Sequence, residues 1–197
     1  MKIKLLGTEI YISFLFTAII AFIIATDRTG LCLPTFFAVL LHETGHLIAM
    51  WICDCQPKSI RLVPASISIT RDFSSKTNGE IIIALAGPAV NILLFASLFV
   101  NYKMTGFPFS ADNALINLAV GVFNLLPVKG LDGGTVMFLI LNRFLNCQKA
   151  ERIIKIITLL FALSFAVLGI TVLINGRDNI SILIFGIYLL ISVFLKQ

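Results

Sequence analysis

Six apolar stretches dominate this sequence, at approximately 10–26, 33–52, 80–100, 113–128, 153–174 and 179–195. Crossing the hydrocarbon core of a bilayer takes about 20 mostly apolar residues, within a range of roughly 17 to 25. Each stretch meets or approaches that length. Of the 197 residues, 58% are hydrophobic and only 13% charged, against about half and about a quarter in a soluble domain. The expected fold is an all-α polytopic membrane protein with about six transmembrane helices, making a single transmembrane domain over 1–197. A seventh apolar stretch, Thr135 to Leu145, is too short to cross and is expected to be a partial or re-entrant helix.

The first stretch follows Lys2 and Lys4, as a signal peptide would, but no small-x-small cleavage site comes after it. It is therefore read as a retained span. Lysine and arginine favour cytoplasmic loops. With the N-terminus in the cytoplasm, Arg28, Lys103 and Arg177 fall outside, Lys129 is set aside, and the other eleven of the 15 Lys and Arg fall inside. Both termini are thus expected in the cytoplasm. The net charge of +5 is then a topology signal spread over several short loops, which argues against a nucleic-acid partner. Cys53 and Cys55 have no second Cys or His pair nearby and read as ordinary thiols.

One sizeable polar interruption, Cys53 to Gly79, falls on the expected cytoplasmic side. Apolar and polar residues alternate in it from Ser66 to Thr70. Alternation indicates a short strand, and Pro64 restricts it to a hairpin or an edge. A short cytoplasmic β-hairpin-like loop is therefore expected. Only Gln197 follows Lys196, so no soluble tail is expected.

The stretch "LLHETGHLIAM", Leu40 to Met50, places His42, Glu43 and His46 inside the second span. Polar side chains are expensive there and mark function. On a helix, His42 and His46 lie about 40° apart around the axis and roughly 6 Å along it, on one face. Two imidazoles so placed can reach one zinc ion. Glu43, about 100° further round, can take a proton from a water beside the metal. The chain has two histidines in total, and both are here.

Catalytic zinc takes three protein ligands and leaves the fourth position for water. With no further histidine, the third ligand must be sought among carboxylates near membrane depth. Asp132 in "NLLPVKGLDGG", Asn124 to Gly134, is the exception among acidic residues that otherwise lie in loops, at segment ends or in the histidine motif. Pro127, Gly130, Gly133 and Gly134 break this stretch. Broken backbone at membrane depth is tolerated only where it packs in protein or lines a wet cavity. Alone, Asp132 would read as a solvated turn residue; beside a histidine pair lacking a third ligand, it reads as that ligand. The second and fourth spans run in the same direction, which brings both halves of the site to a similar depth.

"AGPAVN", Ala86 to Asn91, supplies small residues for close helix approach and an asparagine expected to hydrogen-bond across helices. Structural packing is its plainest role. Asn117 and Asn124 lie seven apart on one helical face, where they either hold a substrate carbonyl or bridge helices.

Together, "HETGH", "AGPAVN" and "NLLPVKGLDGG" resemble the motifs of the site-2 protease family of intramembrane zinc metalloproteases, over residues 33 to about 145. Within that family the chain is most similar to the bacterial sporulation proteases, without their C-terminal CBS domain; the PDZ domain of other members has no place between its spans. The resemblance implies that His42, His46 and Asp132 bind one zinc ion per chain and that Glu43 is the catalytic acid/base. It implies that Asn124, with Asn117, helps to hold substrate. It also implies regulated intramembrane proteolysis in a bacterial cell membrane. The substrate would be membrane-associated, such as a sigma-factor or anti-sigma-factor precursor, and a homo-oligomer or a regulatory membrane partner is compatible with that role. The rival readings are a non-proteolytic metal-binding membrane protein or transporter, which would usually show internal repeats, and an inactive scaffold, which would typically have lost Glu43 or a ligand.

Overall fold

The computed structural model describes residues 2–5, 8–55, 57–63, 66–71, 77–175 and 181–194. The chain divides into two compact units, Met1–Phe123 and Asn124–Gln197.

The first unit opens with strands β1 (Lys2–Leu5) and β2 (Thr8–Ile12), followed by helices α1 (Phe14–Thr26) and α2 (Cys32–Ile52). Strands β3 (Pro57–Val63) and β4 (Ser66–Arg71) come next, then α3 (Thr77–Thr105) and α4 (Pro108–Asn124), whose last residue begins the second unit. The strands form one sheet in the order β1-β2-β3-β4. β1 and β2 are antiparallel, with Lys2 opposite Tyr11. β2 and β3 are parallel, with Glu9 opposite Ser59. β3 and β4 are antiparallel, with Leu62 opposite Ile67.

The helical expectation is met, with one adjustment at the N-terminus. Residues 10–12, expected to open the first span, are the end of β2. The reason is local: "TEIYI" is β-branched, aromatic and partly alternating, which suits a strand. The uniformly apolar run begins only at Phe14. α1 is left with 13 residues, about 20 Å at 1.5 Å per residue, against a hydrocarbon core of about 30 Å. Among the described residues, three helices are long and apolar enough to cross a membrane: Cys32–Ile52, Asn78–Thr105 and Cys147–Ile174. Their outer faces carry large apolar side chains in the open, among them Ile48, Leu93 and Leu160. Such faces suit lipid, and the protein is an integral membrane protein.

Entry into α2 is built by Asp27. Its carboxylate accepts from the Thr29 hydroxyl at 2.6 Å, the Cys32 amide at 2.9 Å and the Thr29 amide at 2.8 Å. Gly30, at φ 71°, allows the turn between them. Farther along, α2 meets α3 at Gly45, where a Cβ would come 2.8 Å from the carbonyl oxygen of Ala86 and 2.9 Å from the side chain of Val90. Ala49, Met50, Cys55 and Ile83 form a buried cluster beside this contact. Cys55 is thus an apolar packing residue, in line with the ordinary-thiol reading of the pair.

The second unit holds α5 (Asp132–Phe144), α6 (Cys147–Ile174) and α7 (Ser181–Phe194). α5 is the short helix expected near Thr135–Leu145, begun three residues earlier at Asp132. α6 and α7 touch backbone to backbone: a Cβ on Gly169 would meet Leu183, and one on Gly186 would meet Ala166. Their core is Val128, Ala162 and Leu189, with Phe161 and Phe165 against it.

Candidate metal centre

Ala38, His42, Gly45, His46 and Ala49 are buried along one stripe of α2. Four-residue spacing carries this stripe against Ile83, Gly87 and Asn91, which repeat at the same interval on α3 and are themselves buried. The match of spacings puts an acceptor at each histidine. Nδ1 of His46 lies 2.7 Å from the main-chain oxygen of Ile83. Nδ1 of His42 lies 2.7 Å from Oδ1 of Asn91.

A main-chain carbonyl only accepts, so Nδ1 of His46 carries the hydrogen. Asn91 gives the same answer for His42. Its amide nitrogen faces the oxygen of Ala38 at 3.1 Å and Oδ1 of Asn117 at 2.9 Å, which leaves its oxygen for the imidazole. In their neutral forms both rings therefore offer the lone pair of Nε2. The two Nε2 atoms stand 3.1 Å apart. Two nitrogens at about 2.0–2.1 Å from a tetrahedral zinc would be about 3.3 Å apart. The pair thus fits a shared zinc ion in donor type, tautomer and spacing. Gly87 leaves space beside it, for a Cβ there would overlap the His46 ring and lie 2.7 Å from Nε2 of His42.

Glu43 follows His42 on α2 and is half-buried. In the second unit, Asp132 occupies the first turn of α5 and is also half-buried. A helix N-terminus favours a carboxylate there. The loop leading to it is held from below. Val128 is fully buried, the amide of Lys129 donates to Oγ1 of Thr158 at 2.9 Å, and that hydroxyl donates to the oxygen of Ile154 at 2.8 Å. Gly130 turns at φ 93°, and Gly133 and Gly134 lie directly against the carbonyls of Leu125 and Val128. Asn124 ends α4, half-buried. Asn117 is buried, bonded through its oxygen to Asn91 and through its nitrogen to the oxygen of Asn113 at 2.9 Å.

The expectation that Asn91 bonds across helices is met. Its bond to His42, the Ile83 oxygen behind His46 and the space at Gly87 went unforeseen. The available signal was the repeat of Ile83, Gly87 and Asn91 at the interval of the histidines.

Residues 103–168 match the model of Peptidase family M50. A zinc metalloprotease of Methanocaldococcus jannaschii is 32% identical over 140 residues, covering 65% of this chain and 41% of the relative. Stage IV sporulation protein FB of Bacillus subtilis is 29% identical over 164 residues, covering 79% of this chain and 54% of the relative. The chain therefore spans about half the length, or less, of these curated relatives. The site-2 protease from Methanocaldococcus jannaschii has a similar fold, with a TM-score of 0.73 at 24% identity over 98% of this chain and 93% of that one.

Proposed function

We propose that this chain, recognised by motif, family match and fold as site-2-protease-like, is a zinc-dependent endopeptidase that hydrolyses membrane-associated proteins within the membrane. One observation carries the proposal: two imidazoles, each fixed with hydrogen on Nδ1, present Nε2 atoms 3.1 Å apart inside a helix pair. His42, His46 and Asp132 would hold one zinc ion, each offering one ligand atom. The mixture of imidazole nitrogen and carboxylate oxygen suits that ion. Zinc bound there supplies a Lewis acid that polarises the scissile carbonyl and acidifies water.

The chain's own residues do the rest. Glu43 accepts the proton of the attacking water and delivers it to the leaving amine. Nδ1 bonding to Asn91 and Ile83 keeps both rings in the ligating orientation. Asn124 holds a substrate carbonyl. Because a substrate helix hides its carbonyls in its own bonds, it must unwind before cleavage. β4, at the edge of the sheet, supports capture of the unwound segment by strand addition. Residues 1–197 act as one catalytic domain of about six spans, with both termini in the cytoplasm of a bacterial cell. A sigma-factor or anti-sigma-factor precursor is the proposed class of substrate.

The test is co-expression with candidate single-span substrates, comparing the native chain with Glu43→Gln. Cleavage should stop while zinc content stays. Persistent cleavage in the Gln variant rejects the mechanism. Full zinc content without cleavage of any membrane protein by the native chain favours a metal-binding protein instead.

A further inference from the structure

We infer that Asn91 and Asn117 form a relay that sets the tautomer of His42, making both of them positioning residues for the metal and removing Asn117 from the substrate contacts. The inference rests on the zinc reading above.

The direction of every bond in the relay follows from carbonyls that only accept. The oxygen of Asn113 forces Asn117 to turn its NH2 group that way, at 2.9 Å. The oxygen of Asn117 then faces α3. The oxygen of Ala38 likewise forces Asn91 to turn its NH2 outward, at 3.1 Å, and the second hydrogen of that group reaches Asn117 at 2.9 Å. Only the Asn91 oxygen is left for Nδ1 of His42. Flipping either amide would set oxygen against oxygen. The relay therefore admits one arrangement, and that arrangement makes Nε2 the ligating atom.

Burial makes the arrangement costly to break. Asn91 is 0% exposed and Asn117 5%. A buried amide atom that loses its partner keeps its desolvation penalty. α4 backs the relay closely: a Cβ on Gly121 would lie 3.2 Å from Cβ of Asn91 and 3.4 Å from the oxygen of Pro88. The two proposed ligands are thus anchored unequally. His46 rests on a main-chain atom of α3 that no substitution removes. His42 depends on a side chain of α3 braced by a side chain of α4.

The experiment uses the full chain in nanodiscs with two readouts. Zinc affinity is measured by chelator competition, and the imidazole nitrogens are followed by 15N NMR of metal-free, histidine-labelled protein. The chain has two histidines, so His46 serves as the internal reference. Asn91→Leu should lower zinc affinity about 10- to 100-fold and move the hydrogen of His42 off Nδ1 while His46 keeps its own. Unshifted His46 resonances and native helix content by circular dichroism separate this effect from misfolding. Asn117→Leu should lower zinc affinity by less, with KM for a cleaved substrate unchanged. Unchanged zinc affinity in Asn91→Leu overturns the inference. So does a raised KM with unchanged zinc affinity in Asn117→Leu. The metal-free spectra do not depend on zinc or on proteolysis. A relay seen there in a chain that neither binds zinc nor cleaves would refute the protease reading alone.

Discussion

Gly87 lies so close to His46 that a single added carbon would overlap the imidazole. The glycine sits inside α3, where alanine is otherwise preferred by about 1 kcal/mol. Its presence there is explained by the space the ring needs.

Gly87→Ala should therefore separate folding from metal binding. The added methyl competes with the Nε2 edge of both rings, so zinc affinity should fall by at least about 10-fold. Helix content should be unchanged. Zinc analysis beside circular dichroism checks both; native zinc affinity would mean that the helices part freely at this point.

The loop before Asp132 should be the structural weak point of the second unit. A Cβ on Gly134 would fall on the carbonyl of Val128, which is main chain and cannot swing aside. Gly134→Ala should destabilise by about 1–3 kcal/mol or more. Thr158→Val, which removes the acceptor of the Lys129 amide, should cost about 1–3 kcal/mol. Thermal unfolding in detergent gives both values, and zinc loss should accompany each.

If substrate adds to β4, proline there should block cleavage without emptying the metal site. Proline lacks the amide hydrogen and is poorly tolerated in a paired strand. Ile67→Pro and Ile69→Pro should abolish cleavage of a membrane substrate and leave zinc affinity alone. Cleavage at the native rate would remove strand addition from the mechanism.

Asp27 should give the fold a pH dependence of its own. The Thr29 hydroxyl, then the Cys32 and Thr29 amides, hold its carboxyl well below the ordinary 3.8. A carboxylate with a lowered folded pKa contributes fully above its unfolded value and loses that contribution as pH falls toward the folded one. Asp27→Asn should therefore be less stable than the native chain at pH 7, and the gap should begin to narrow as pH falls below about 4. Melting curves at pH 7, 5 and 3 measure it; a constant gap would mean that charge plays no part.

Much of the candidate metal centre was legible because hydrocarbon makes polar residues conspicuous. His42, Glu43 and His46 stand out in the second span for that reason, and Asn91 stands out in the third. Their partners were not legible. Whether Asn91 meets His42 depends on which face α3 turns to α2, and that is decided by the contact of Gly45 with Ala86 and Val90. β4 announced itself by alternation, and short α5 by its apolar length. β2 did not, because Ile10–Ile12 adjoins the apolar run and its parallel partner β3 lies some fifty residues away.

The parallel pairing of β2 with β3 sets a polarity for anything that docks on the sheet. β2 continues through Ser13 straight into α1, so its C-terminal end points at the helical layer. β3 shares that heading; between α2 and β3 the backbone of Asp54 is left-handed, at φ 53°. β4 then runs away from the helices. A guest strand lying antiparallel to β4 would travel with β2 and β3, feeding its carboxyl-terminal end toward the bilayer. A polypeptide captured in that antiparallel sense would arrive with its carboxyl end leading.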